Sequence, residues 1–331
     1  MNKAADRLGI DPQRLYEQLE AAILGRPRSL NRVQVAEQAD VPLDRAVDLW
    51  KALGFPGTDD DEAVLYTESD IEALRLVKWL VESGFIDPEV ELTLVRSMGR
   101  SFARLAEWEI SELVSAAMSG SMLTDQERLE TLITSLIPVI EDVQNYVWRR
   151  HIANAAGRML LFPVGQDGER MVVGFADIVG FTRRSRGMST EELAHLVEIF
   201  ESRTTLLITE HSGRVIKTIG DEVLFVTDTP EEGARLALEL TEMHAENPDF
   251  PELRVGLAYG DVMARLGDVY GPVVNIASRL TSLAKPCRVL LDREMSHALK
   301  SWEDEFRVRR SRTATVRGYS RLDTYALKRP R

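Results

Sequence analysis

The spacing of apolar positions changes partway along this chain. Through residues 1–162 they recur every three or four positions, as in Ile71, Leu74, Val77, Leu80 and Val81, the period of a helix with one covered face. From 171 onward, strand-like runs alternate with helical ones. The pattern predicts a strand at 171–179, a helix at 190–211, a hairpin at 213–228, a helix at 231–246 and a strand at 252–260. A second short strand near 261–266, a helix at 272–284, a strand at 287–291 and strands around 304–327 follow. The expected division is an all-helical domain at 1–124, a helical connector at 125–165 and a mixed domain at 166–331, with Gly165 to Gly168 as the boundary. Pro138 lies inside the connector, where its missing N–H should kink or split the helix.

The order β-α-β-β-α-β in the second half is the ferredoxin-like plan, in which helices cover one face of a largely antiparallel sheet. The expected class is therefore α+β, preceded by an all-α domain. At 331 residues, with 44% hydrophobic and 28% charged residues, the chain can build two ordinary globular cores. Its single cysteine, Cys287, leaves no disulfide framework and no cysteine-based zinc site. No apolar run is long enough to cross a bilayer, and the first residues lack a signal-peptide core, so the reading is cytoplasmic. A net charge of −12 argues against general affinity for nucleic acid.

Candidate chemistry lies in the second half. Asp177 follows the apolar run from Val172 to Ala176, and Asp221 sits at the tip of the predicted hairpin. Two acids on neighbouring strand ends are what a pair of divalent cations needs for phosphoryl chemistry. Singly, each suits a turn or a strand edge. After Ile178, Gly180 lets the backbone turn closely, and the amides of Phe181 and Thr182 follow where a phosphate could face them. Strand alternation puts Lys217, Ile219 and Asp221 on one face, although Ile216 and Ile219 break a clean pattern, and Lys217 also suits an ordinary surface lysine. Asn275 and Arg279 are four apart on a helix opening near Pro272, and so share a face. That pair can hold a ribose oxygen and a phosphate, or simply form a polar helix face. Asp268, in the turn before, can accept from an exocyclic amine.

Taken together, FADIVGFT, KTIGDEVLF and GDVYGPVVNIASRL resemble the class III nucleotidyl cyclases, in order and spacing, over essentially all of 171–327. The resemblance implies a head-to-tail homodimer with two active sites at its interface. Asp177 and Asp221, with Ile178 beside them, would bind two Mg²⁺ or Mn²⁺ ions from one protomer. Phe181 and Thr182 would contact substrate. From the other protomer, Lys217 and Asp268 would recognise adenine, and Asn275 and Arg279 would stabilise the transition state. Arg317 stands where many members carry a lysine for the terminal phosphates. A donor lysine with an acceptor aspartate suits ATP, whereas guanylyl members carry an acid in place of the lysine. The implied reaction is attack of the ribose 3′-oxygen on the α-phosphorus, giving 3′,5′-cyclic AMP and pyrophosphate. IGDEV also lies close to the GGDEF signature of diguanylate cyclases, with Ile219 replacing the first glycine. A nucleotide-binding module without turnover is the remaining alternative, although such a domain is expected to have lost a metal acid.

Residues 29–86 resemble a MerR-type helix-turn-helix, but they carry five basic residues against twelve acidic ones, a net of −7, so no DNA binding is expected. Residues 94–114 resemble the helical regulatory domain of actinobacterial soluble cyclases, a group in which pH sensing and lipid binding occur. Met98, Phe102, Leu105 and Trp108 recur there at helical spacing, as packed core or as the lining of an apolar ligand pocket. His151, beside Arg149 and Arg150, is either a pH-responsive group or a solvated histidine. Arg307, Arg309, Arg310 and Arg312 read as charges guarding an edge strand.

Overall fold

The structure, a computed structural model, describes residues 12–119, 126–161, 169–316 and 319–330. Contacts divide the chain into two compact units, Met1–Leu160 and Leu161–Arg331. The first unit is helical: α1 (Pro12–Leu24), α2 (Arg32–Ala39), α3 (Leu43–Leu53), α4 (Glu68–Glu82), α5 (Pro88–Ser119) and α6 (Gln126–Leu161). Local chemistry sets several ends. Asn31 and Gln34 form a reciprocal capping box on α2, Thr67 and Asp70 do the same for α4, and Gly54 closes α3 in the left-handed conformation. Val35, Leu49, Trp50, Ile71, Leu74 and Val95 form the shared core.

Two expectations fail in this unit. Pro138 does not split its helix, because α6 runs through it from Gln126 to Leu161. Nor do Met98, Phe102 and Trp108 pack into core: in the single chain they are 47%, 56% and 60% exposed. Leu105 is only half-buried. The helical period was right and the face was wrong. The buried line of α5 is instead Glu91, Val95 and Gly99, and a side chain at Gly99 would overlap the Leu53 backbone. A close approach of α3 at a small residue, with Arg45 donating to Glu91 at 2.6 Å, therefore chose the inward face.

The second unit contains β1 (Glu169–Ile178), α7 (Phe181–Ser185), α8 (Thr190–Glu210), β2 (Arg214–Ile219), β3 (Glu222–Thr227), α9 (Pro230–Glu246) and β4 (Leu253–Arg265). After these come β5 (Asp268–Tyr270), α10 (Pro272–Leu283), β6 (Val289–Leu291), α11 (Arg293–Ala298), β7 (Arg307–Val316) and β8 (Tyr319–Lys328). The sheet order is β2-β3-β1-β4-β6-β8-β7, with β5 paired to β4. β1 lies antiparallel between β3 and β4, as the ferredoxin-like plan requires, and β4 pairs in parallel with β6. The strand expected at 261–266 is the continuation of β4, whose hairpin partner is β5.

Helices cover both faces of this sheet rather than one. Val172, Ala176 and Ile178 of β1 pack with Phe200 of α8 and Leu236 of α9. Met171, Val173 and Phe175 point the other way, onto Val273 and Ala277 of α10. A strand covered on both sides needs the near-continuous apolar run seen in β1. Alternation then assigns Asp177 to the α10 side.

Candidate active site

Asp177 ends β1 opposite Glu222 of β3 on one side and Arg254 of β4 on the other. Cross-strand partners share a face, so three charged side chains stand in a row at the edge of the core. The tight turn after β2 uses Gly220 at φ 65°, which places Asp221 between the hairpin strands. The Ile178 amide donates to the Asp221 carbonyl at 3.0 Å, fastening the end of β1 to that turn. Asp177 is buried, and Arg254 Nε donates to its Oδ2 at 2.6 Å with a second contact from Nη2. Burial raises the Asp177 pKa, the Asp221 carboxylate adds to the rise, and Arg254 only partly offsets them. Burial, then Asp177 and Asp221, push the Glu222 carboxyl up to about 7.

Carboxylates crowded together attract a divalent cation, and hard oxygen donors suit Mg²⁺ or Mn²⁺. Among the described residues no group of three or more His, Cys, Asp or Glu forms a metal cage. A cation here would rest on the two aspartates, on backbone oxygen such as that of Ile178, and on oxygens of the substrate.

Next to this edge lies a pocket of about 410 Å³, lined by Ile178, Gly180, Phe181, Thr182, Arg183, Asp221 and Arg254. Gly180 takes φ 69°, and α7 starts at once at Phe181, earlier than the sequence pattern placed a helix. Four residues singled out from sequence, Ile178, Phe181, Thr182 and Asp221, thus share one pocket.

Lys217 and Asp268 form a second grouping. β2 shifts register between Val215 and Lys217, a bulge that explains why Ile216 and Ile219 fail to alternate. Past the bulge Lys217 pairs with Leu224, on the α10 side of the sheet. Its Nζ donates to Asp268 Oδ2 at 2.6 Å. Burial pushes the Asp268 pKa up, but Lys217 and the Val269 amide outweigh it, so the carboxyl stays below its usual range.

Asn275 and Arg279 lie on α10, which Pro272 opens and which buries Val273, Ala277 and Leu280. Asn275 is exposed and Arg279 half-buried, and neither bonds to another described side chain. The helix sits flush on the sheet: Thr281 Oγ1 donates to the Phe175 carbonyl at 3.2 Å, and a side chain at Gly256 would overlap the Ala277 carbonyl and Thr281 amide. None of Lys217, Asp268, Asn275 or Arg279 lines the pocket beside Asp221. One chain therefore presents two separate groups of candidate residues. Arg317 lies outside the described residues.

Sequence reasoning missed Arg254, Arg183 and Glu222. Arg254 left a readable trace, a lone charge in the apolar run Leu253 to Ala258. Such a charge in a buried strand needs a partner, and here that partner is Asp177.

The adenylate and guanylate cyclase catalytic domain family matches residues 165–329. An adenylate cyclase of Glutamicibacter nicotianae is 38% identical over 328 residues, covering 93% of this chain and 81% of that protein. An adenylate cyclase of Streptomyces coelicolor is 41% identical over 297 residues, covering 88% and 76%. A pH-sensitive adenylate cyclase of Mycobacterium tuberculosis is 32% identical over 278 residues, covering 80% and 69%. No helix among the described residues is long and apolar enough to cross a membrane. With relatives of this identity aligned across both the helical and the mixed unit, the chain belongs to the class III adenylate cyclases.

Proposed function

We propose that the chain converts ATP to 3′,5′-cyclic AMP and pyrophosphate in a site shared by two copies. The observation that carries the choice of ATP is the Lys217–Asp268 pair at 2.6 Å. Adenine offers an acceptor at N1 and a donor at its amine, the complement of an ammonium beside a carboxylate. Lys217 donates to the ring nitrogen and Asp268 accepts from the amine. Asp177, Asp221 and the Ile178 carbonyl would hold two Mg²⁺ or Mn²⁺ ions, which would supply neutralisation of phosphate charge and acidification of the 3′-hydroxyl. The backbone at Phe181 and Thr182 cradles the phosphates. Asn275 orients the ribose, and Arg279 meets the charge developing on the α-phosphate. Arg317 adds a cation for the terminal phosphates.

The separation of the two groups within one chain supports a homodimer in which each protomer completes the other's site. Exposed Ile219, Met263 and Tyr270 near the Lys217–Asp268 pair supply apolar surface for that contact. The helical unit is a regulatory module, responsive to pH or to an apolar ligand, and not a DNA reader. In support, four of the five cations in 29–86 are already engaged: Arg32 by Asp61, Arg45 by Glu91, Lys78 by Asp40 and Arg75 by the Gln38 carbonyl.

Purified protein incubated with ATP and Mn²⁺ should yield 3′,5′-cyclic AMP, with GTP a poor substrate in a parallel reaction. Asp221→Ala should remove product formation; undiminished turnover in that variant would defeat the assignment.

A further inference from the structure

We propose that Arg183 is a further substrate-binding residue, gripping the polyphosphate tail of the nucleotide; the inference rests on the ATP reading and deepens it. Two arginines line the pocket beside Asp221, and they differ in how they are occupied. Arg254 is committed: it bonds Asp177 through two nitrogens and reaches the Ser282 carbonyl at 3.3 Å. The Arg183 side chain makes no hydrogen bond or ion pair with any described residue, while its backbone amide donates to the Gly180 carbonyl at 3.0 Å. Its side chain is exposed yet lines the pocket, with Nη2 3.6 Å from where a Cβ on Gly180 would stand.

Gly180 takes the left-handed conformation that turns β1 into α7 and so sets Arg183 beside the pocket. The result is a multi-donor cation with an unpaired side chain at the wall of the pocket that Phe181, Thr182 and Asp221 also line. A planar guanidinium with five donors matches the paired oxygens of a polyphosphate. Of the two arginines lining the pocket, Arg254 is bonded to Asp177 and Arg183 is the one whose side-chain donors are free for phosphate oxygens, on the same protomer as the proposed metal acids.

The charge it answers is on the β- and γ-phosphates, so its effect should grow with the number of phosphates on the ligand. The test measures binding of 3′-deoxy-ATP and 3′-deoxy-AMP, neither of which can cyclise, to the full chain with Mn²⁺ present. Arg183→Ala should weaken binding of the triphosphate about tenfold and leave the monophosphate unchanged. Inhibition by inorganic pyrophosphate should weaken by a similar factor, and Arg183→Lys should recover part of each loss. Arg183 is exposed, so the variant should fold; an unaltered melting temperature checks this. Unchanged triphosphate binding, or equal losses for both ligands, overturns the proposal alone. Wild-type protein that binds no triphosphate and forms no cyclic AMP overturns the proposal and the ATP reading together.

Discussion

Lys217 offers only donors and Asp268 only acceptors, which suits the base edge proposed for the pair. Reversing that polarity should reverse the preference. In Lys217→Glu combined with Asp268→Gly, the ratio of kcat/KM for GTP to that for ATP should rise at least about tenfold. An unchanged ratio would separate the pair from base recognition. Asp292 makes a different residue-scale case. It caps α11 by accepting from the Met295 amide at 2.8 Å and from the Tyr259 amide at 3.3 Å. Burial still raises its pKa to about 6, those bonds only partly opposing it. A raised folded-state pKa means the folded protein binds the proton more tightly than the unfolded chain does. The stabilisation is thus fully present below the usual 3.8 and is lost as pH climbs through about 6. Asp292→Asn keeps an acceptor without the ionisation. Its stability relative to wild type, from denaturant melts at several pH values, should gain about 1–3 kcal/mol between pH 4 and pH 7. A flat difference would contradict the assignment. Asp292 and Glu222 were illegible in the sequence, because they acquire their character from burial and from neighbours far along the chain. The positions of Asp177 at a strand end and Asp221 at a hairpin turn were legible because apolar strands and a glycine turn frame them locally.

At the scale of elements, the near-continuous apolar runs of β1 and β3 and the capped helices α8 and α9 emerged from pattern alone. What pattern could not supply was which helix lies on which side of the sheet. Placement of α10 depends on contacts at Gly256, where any side chain would meet the helix backbone. Gly256→Ala should therefore destabilise by about 1–3 kcal/mol and lift the helix. Because Asn275 and Arg279 ride on that helix, kcat should fall more than affinity for 3′-deoxy-ATP. Equal losses in both would show that α10 does not position the two side chains. The inward face of α5 was missed for a related reason. Large apolar side chains attract attention in a sequence, yet Gly99 and the Leu53 backbone decide the contact. The β2 bulge was visible only as a fault in alternation, with no indication of what it aimed.

For the whole molecule, the proposed division of the site between copies makes a distinctive demand on mixtures. Under that proposal Asp177→Ala lacks a metal acid and Arg279→Ala lacks the group at the α-phosphate, so each homodimer should be inactive. Mixed together, they should form heterodimers with one intact site, restoring up to about a quarter of wild-type activity if exchange is random. No recovery, with heterodimers verified by mass, would argue for sites complete within one chain.

The single hydrogen bond from the Ile178 amide to the Asp221 carbonyl has a wider consequence. It acts as a backbone staple, so the main-chain separation of the two acids is fixed whatever rotamers their carboxylates adopt. Lengthening the turn by one residue would break the staple with every functional side chain still in place. Sequence drift in this lineage is accordingly expected to spare the length of that turn more strictly than the identity of the residues around it.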